Sequence, residues 1–256
     1  MIRFLKQIIK AIAARWGVVM FKRSTGIYIG EGETPTIAVR LCGTTRPMIV
    51  DGGAHEGTFV DAVRAIYPQA CFVCVEPDPT LARILRERFI GDGSVCVMEM
   101  ALGEASGSAR LNLNASRACN SLVAASQANT GILGAMMDTT AQVDVRVATL
   151  DELLEEAAID HCDIVKLDLQ AYDLHALRGA RRTLKSAKVV IVEVWYAPVY
   201  AGTVNYLDIC TFMQERGFEL YTLVGLHYST TDRLLWSDAI FVRNDSDALA
   251  QSLAIG

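Results

Sequence analysis

The stretch MIVDGGAHEGTF, residues 48–59, decides the fold. Ile49 and Val50 are apolar and β-branched, so the chain enters extended and buried, and Asp51 closes the strand. Gly52 and Gly53 then allow backbone angles and close approaches that a Cβ blocks, and Gly57 lets the first helical turn lie tight against the sheet or a ligand. After a helix-like run, CFVCVEPDP, residues 71–79, supplies a second buried strand that ends on the acid Glu76.

The glycine spacing separates two cofactor classes. A dinucleotide fingerprint places glycines at the first, third and sixth positions of its loop. Counting from Gly52, the third position is Ala54, so the strict template fails. What remains is D-x-G-x-x-x-G, Asp51 to Gly57, after a strand, and this resembles the first motif of the class I S-adenosylmethionine (SAM) methyltransferases. Glu76, at the end of the next strand, stands where a carboxylate accepts the hydroxyls of an adenosine ribose. That requirement is common to NAD and SAM, so Glu76 points to a nucleoside without choosing between them.

At 256 residues and 52% apolar content, the chain has enough material for one or two domains with a sizeable core. The net charge of −5 argues against a nucleic-acid partner. Seven cysteines, an odd number scattered through apolar runs, read as reduced core residues of a cytoplasmic protein. Cys71 and Cys74 lie inside a strand, where residues three apart face opposite ways, so no metal site is expected there or elsewhere.

Residues 1–47 read as an extension. Ile2, Leu5, Ile8, Ile9, Ile12 and Trp16 fall at helical spacing with Arg3, Lys6, Lys10 and Arg15 between them, a basic amphipathic helix with neither a membrane-spanning run nor a secretory cleavage site. Two readings survive: a cap packed on the core, or a peripheral membrane contact. From Gly26 to Leu41, IYIG and TIAVRL flank GETP and suggest a hairpin or short edge strands. Residues 48–245 then form the main domain, followed by a tail, 246–256.

Beyond Glu76, helix and strand alternate. Leu81 to Phe89 reads as an amphipathic helix and Val95 to Met100 as a third strand. Asn112 to Ala141 turns polar and small, which suggests a loop or lid over a ligand mouth. Val143 to Val147 alternates like a strand able to pair with Arg110 to Leu113, and Thr149 reads as a helix N-cap followed by Asp151, Glu152, Glu155 and Glu156. Ile164 to Leu167 is a buried strand with Asp168 at its carboxyl end and a helix onward to about Leu184. Ligands of open α/β sheets bind outside the carboxyl ends of the strands, so Asp51, Glu76 and Asp168 are expected at one crevice. Val189 to Val194 is a further strand in which a buried Glu193 requires donors. A helix from Asn205 to Arg216 stops at Gly217. Phe218 to Val224 and Leu235 to Val242 then pair antiparallel across a loop holding His227 and Tyr228.

The blocks VDGGAHEGTF, FVCVEPDP, ALGEASG, VATLDELL, IVKLDLQAYDLHALRGA, VVIVEV and ERGFELY, in that order, resemble the FkbM-type SAM-dependent methyltransferases. The resemblance implies a Rossmann-like α/β fold with a mostly parallel sheet closed by an antiparallel hairpin. It implies SAM as cofactor and O-methylation of a hydroxyl on a sugar, glycolipid, polyketide or peptide. The cofactor residues would be Asp51, Gly52, Gly53, Ala54, His55, Gly57, Glu76, Pro77, Ala101, Leu102 and Asp168, with Ala101 and Leu102 at the adenine and His55 at the methionine end. Asp168 is the first candidate to accept the acceptor's proton and His227 the second. The chain departs from the family where Ala171 and Asp173 stand in place of its usual Gly and Glu. A NAD-binding oxidoreductase and a catalytically idle SAM-binding module are the rival readings.

Overall fold

The computed structural model describes residues 34–126 and 133–245 together with the backbone of 18–23 and 26–31. The amphipathic helix expected over residues 2–16 and the tail 246–256 lie outside the described residues. Among the described residues, no helix is long and apolar enough to cross a membrane.

The extension differs from its sequence reading. Strands β1 (Val18–Arg23) and β2 (Gly26–Glu31) pair antiparallel as a hairpin, but Thr34–Cys42 is a helix, α1, where a second strand was expected. Pro35 sits in the first helical turn, where its missing N–H costs nothing. Ala38, Val39, Leu41 and Cys42 are buried at helical, not alternating, spacing.

Five parallel strands follow: β3 (Met48–Gly52), β4 (Cys71–Val75), β5 (Val95–Met98), β9 (Ile164–Leu167) and β10 (Val189–Trp195). Between β5 and β9 a separate three-stranded sheet forms from β6 (Ala101–Leu102), β7 (Gly107–Asn114) and β8 (Thr139–Ala148). The expected pairing holds, with Leu111 opposite Val143. The chain ends its main sheet with β11 (Phe218–Tyr228) and β12 (Leu234–Arg243), in the order β11-β12-β10-β9-β3-β4-β5. β12 runs antiparallel to both neighbours, so β11 again runs with the parallel set.

Side-chain alternation splits the sheet's apolar residues between two covered faces, as a parallel sheet requires. Val50, Val165, Val190 and Val192 pack with α4 (Leu150–Glu156), α5 (Asp173–Arg178) and α7 (Tyr206–Gln214). Ile49, Ile164, Val189 and Ile191 pack with α1, α2 (Thr58–Arg64) and Leu85 of α3 (Pro79–Arg88). Thr149 and Glu152 form a full capping box on α4.

Two further expectations change. The helix expected to run to about Leu184 breaks into α5 and α6 (Thr183–Ser186), with Gly179 between them. A Cβ on Gly179 would overlap the Gly103 carbonyl, so the chain dips there against the strand that carries Ala101 and Leu102. His227 and Tyr228 belong to β11 and not to a loop. Register shifts between Leu220 and Thr222 and on either side of His227 interrupt the alternation that would have marked the strand.

Candidate functional site

A cleft opens at the carboxyl ends of β3, β4 and β9. Its loop is held by the strand beside it: the amides of Gly53 and Ala54 donate to the Val75 carbonyl at 2.9 and 3.1 Å. Glu76 is only 5% exposed and lines the cleft. Its Oε2 accepts the His55 amide at 2.8 Å and its Oε1 the Asp78 amide at 3.0 Å. Burial pushes the Glu76 carboxyl up to about 7, with those two amides opposing the shift. Each carboxylate oxygen keeps capacity for a second donor. Met100, Ala101, Leu102 and Leu111 make the apolar wall beyond it.

The glycines serve packing more than ligand approach. Gly53 lies at φ +72°, and a Cβ on it would overlap the Asp168 carbonyl oxygen, so it lets β9 close on the loop. A Cβ on Gly57, at φ +80°, would meet the Phe89 ring at 2.9 Å and Leu85 at 3.1 Å. One on Gly52 would meet Leu167 at 2.9 Å and Leu102 at 3.0 Å. Of the residues expected at the cofactor, Gly53, Ala54, His55, Glu76, Pro77, Ala101, Leu102 and Asp168 line the cleft; Asp51, Gly52 and Gly57 lie behind it.

Asp51 is fully buried beneath the loop, beside a residue the sequence reading passed over. The Lys166 ammonium stands 3.0 Å from Asp51 Oδ1 as an ion pair off the line of a hydrogen bond, and neither carboxylate oxygen has a hydrogen-bond partner. Lys166 Nζ also donates to the Gly53 carbonyl at 3.3 Å and lies 3.8 Å from Asp168 Oδ2. Burial pushes Asp51 up, and Lys166 opposes it. Burial works against the Lys166 charge as well, but the Asp51 and Asp168 carboxylates outweigh it and hold the ammonium above the ordinary lysine value. A lysine inside the apolar run IVKL was the available signal, since a buried lysine requires a partner.

Asp168 lines the cleft at the end of β9. Its Oδ1 accepts Gln170 Nε2 at 2.7 Å, and the same amide reaches Glu193 Oε2 at 3.0 Å. Tyr200 Oη donates to Gln170 Oε1 at 2.6 Å, and Trp195 Nε1 donates to Glu193 Oε2 at 2.9 Å. Glu193 thus finds the donors its burial demands; burial, then the Asp168 and Asp173 charges, push its carboxyl well above the usual range. Gln170 and Ala171 both take left-handed backbone angles, φ +53° and +73°. Ala171 therefore holds a conformation that glycine adopts more cheaply. Asp173 is buried, its Oδ1 accepting the Leu169 amide at 3.1 Å, and burial with the Asp168 charge pushes it up to about 7.

His227 is not in the cleft lining. It sits on β11 opposite Trp236, ring on ring at 4.5 Å and 9°. Partial desolvation in that stack lowers its pKa, with Asp168 opposing.

The loop expected from Asn112 to Ala141 is shorter, since its first residues pair in β7 and its last in β8; the excursion after β7 reaches the cleft mouth, tied down at several points. Arg117 pairs with Asp78, Asn120 Nδ2 donates to Asp78 Oδ2 at 3.0 Å, and Ser121 Oγ donates to the Gln170 carbonyl at 2.8 Å. Arg117, Ala118, Asn120, Ser121 and Leu122 line the cleft from that side.

A family model described as the methyltransferase FkbM domain matches residues 51–220. Methyltransferase sdnD of Sordaria araneosa is 23% identical over 216 residues, 75% of this chain and 78% of that protein. The 2-O-methyltransferase NoeI of Sinorhizobium fredii is 22% identical over 165 residues, 61% of this chain and 66% of its own length. The crystal structure of methyltransferase FkbM from Methylobacillus flagellatus has the same fold, with a TM-score of 0.50 and 16% identity over 77% of this chain and 44% of that one. The match runs from the strand-end acid of β3 into β11, across the whole cleft, and the chain belongs to the FkbM methyltransferase family.

Proposed function

We propose that the protein is a SAM-dependent O-methyltransferase acting on a hydroxyl of a sugar, glycolipid, polyketide or peptide natural product. The observation that carries this reading is the placement of two carboxylates in one cleft, Glu76 at the end of β4 and Asp168 at the end of β9. The residues suit the cofactor. Glu76 has lone pairs free for two ribose hydroxyls, Met100, Ala101 and Leu102 suit an adenine face, and the charged end of the cleft suits an amino acid. The relative named a 2-O-methyltransferase supports oxygen as the methylated atom.

SAM supplies an electrophilic methyl group whose transfer neutralises charge, so positioning does much of the work. A sugar-like hydroxyl is a weak nucleophile, and Asp168 is the group that would hold it in line and take its proton. Gln170 fixes the Asp168 carboxylate through Oδ1, which leaves Oδ2 for that task. His227 faces Trp236 outside the cleft and is the weaker candidate. The NAD reading gains nothing from the structure, because Ala54 holds the cleft position where the dinucleotide template puts a glycine.

The test is transfer from methyl-labelled SAM to a panel of hydroxylated glycans and natural products. Asp168→Asn should cut turnover by roughly 100- to 10,000-fold while SAM affinity stays within a few fold. An active Asp168→Asn enzyme would remove the base assignment, and a collapse of SAM affinity would make Asp168 a cofactor ligand.

A further inference from the structure

The Lys166 ammonium presents three N–H donors, and one of them is spent in a hydrogen bond to the Gly53 carbonyl. The Gly53 carbonyl accepts at 3.3 Å, Asp51 Oδ1 pairs with the charge from 3.0 Å off the line of a hydrogen bond, and Asp168 Oδ2 at 3.8 Å is beyond hydrogen-bond reach. Lys166 also lines the cleft, so donor capacity that remains has the cleft as its open side. An ammonium with donor capacity left gives a carboxylate charge-assisted hydrogen bonds, which are shorter and stronger than neutral ones.

The position of that donor selects the anion. Glu76 ends β4, and Met100 and Ala101 of the apolar wall follow β5, which pairs with β4 on the side away from β9. Lys166 belongs to β9, across β3 from Glu76. A ligand with its ribose at Glu76 and its base on the apolar wall therefore extends its remaining end toward Lys166. Among the described residues, the other guanidinium or ammonium on the cleft, Arg117, pairs with Asp78 beside the Glu76 end. We propose that Lys166 binds the α-carboxylate of the cofactor's methionine moiety, an assignment that rests on the SAM reading above. Asp51 and the Gly53 carbonyl then act as the cradle that keeps the ammonium charged and aimed.

The probes are S-adenosylhomocysteine and 5′-methylthioadenosine, which share the thioether nucleoside and differ in the amino-acid end. Titration calorimetry should show the parent preferring S-adenosylhomocysteine. Lys166→Met should weaken that ligand about 10- to 100-fold, the span of a hydrogen bond between charged partners, and change methylthioadenosine by less than about threefold. Lys166→Arg should retain part of the preference. Because Lys166→Met strands a buried Asp51, the same comparison is made between Asp51→Asn and the Asp51→Asn/Lys166→Met pair, where no buried charge is left alone. Equal weakening of both ligands, or of neither, would overturn the assignment while leaving the cofactor reading in place. A parent that binds neither ligand would overturn the cofactor reading and this assignment with it.

Discussion

Glu76 is a carboxylate that burial would keep protonated and two backbone amides would keep ionised, and burial wins, since its pKa lies near 7 against an ordinary 4.5. The sign of the pH dependence follows. Between those two values the folded chain holds a proton that the unfolded chain has released, so this group lowers stability as pH rises through that window and takes nothing further above it. Ribose hydroxyls donate to the ionised form and favour it. Binding S-adenosylhomocysteine near pH 6 should therefore release a proton, and affinity should tighten from pH 5 to about 7 and then level off. Calorimetry in two buffers of different ionisation enthalpy reads the proton directly, and Glu76→Ala should abolish its release and cost about 1.5–3 kcal/mol of binding. Glu76 and Asp168 were legible in the sequence because an apolar run that stops on an acid marks a strand end. Gln170 and Tyr200 were not, since their roles arise only where the end of β9, β10 and the segment after β10 meet in space, and Lys166 showed only as a charge in an apolar run, its partner on β3 being set by the sheet order.

The glycine turn after β3 was legible as an element, but its reason was not. Sequence alone makes Gly53 a place where ligand approaches backbone; the structure makes it the place where the Asp168 carbonyl does. Gly53→Ala should thus damage the fold as well as the site. A left-handed alanine costs about 1–2 kcal/mol and displacing a strand end about 1–3 more, so denaturant unfolding should show a loss of about 2–5 kcal/mol with ligand binding lost alongside. Gly57→Ala meets the side chains of Phe89 and Leu85 and not a backbone carbonyl, and should cost less. Other elements were misread for equally physical reasons. Pro35 reads as a turn breaker yet opens α1, and the bulged register of β11 hides His227 inside a strand.

Across the molecule, the alternation of apolar runs and helices announced a parallel sheet, and the last two runs announced a hairpin. A hairpin pattern says that two strands pair, not which of them lies inside. β12 takes the inner place because Ala239, Ile240, Phe241 and Val242 are all buried, while β11 is largely open. The result gathers Gly53, Glu76, Lys166 and Asp168 at one end of the sheet, under the excursion latched by Arg117 to Asp78. The proposed function requires this end to take a nucleoside carrying an amino acid and not a dinucleotide. The direct measurement is calorimetric titration of the whole chain at pH 8 with S-adenosylhomocysteine and, separately, with NAD. The structure predicts saturable one-to-one binding of S-adenosylhomocysteine and no heat of binding for NAD; binding of NAD, or failure to bind S-adenosylhomocysteine, would contradict it.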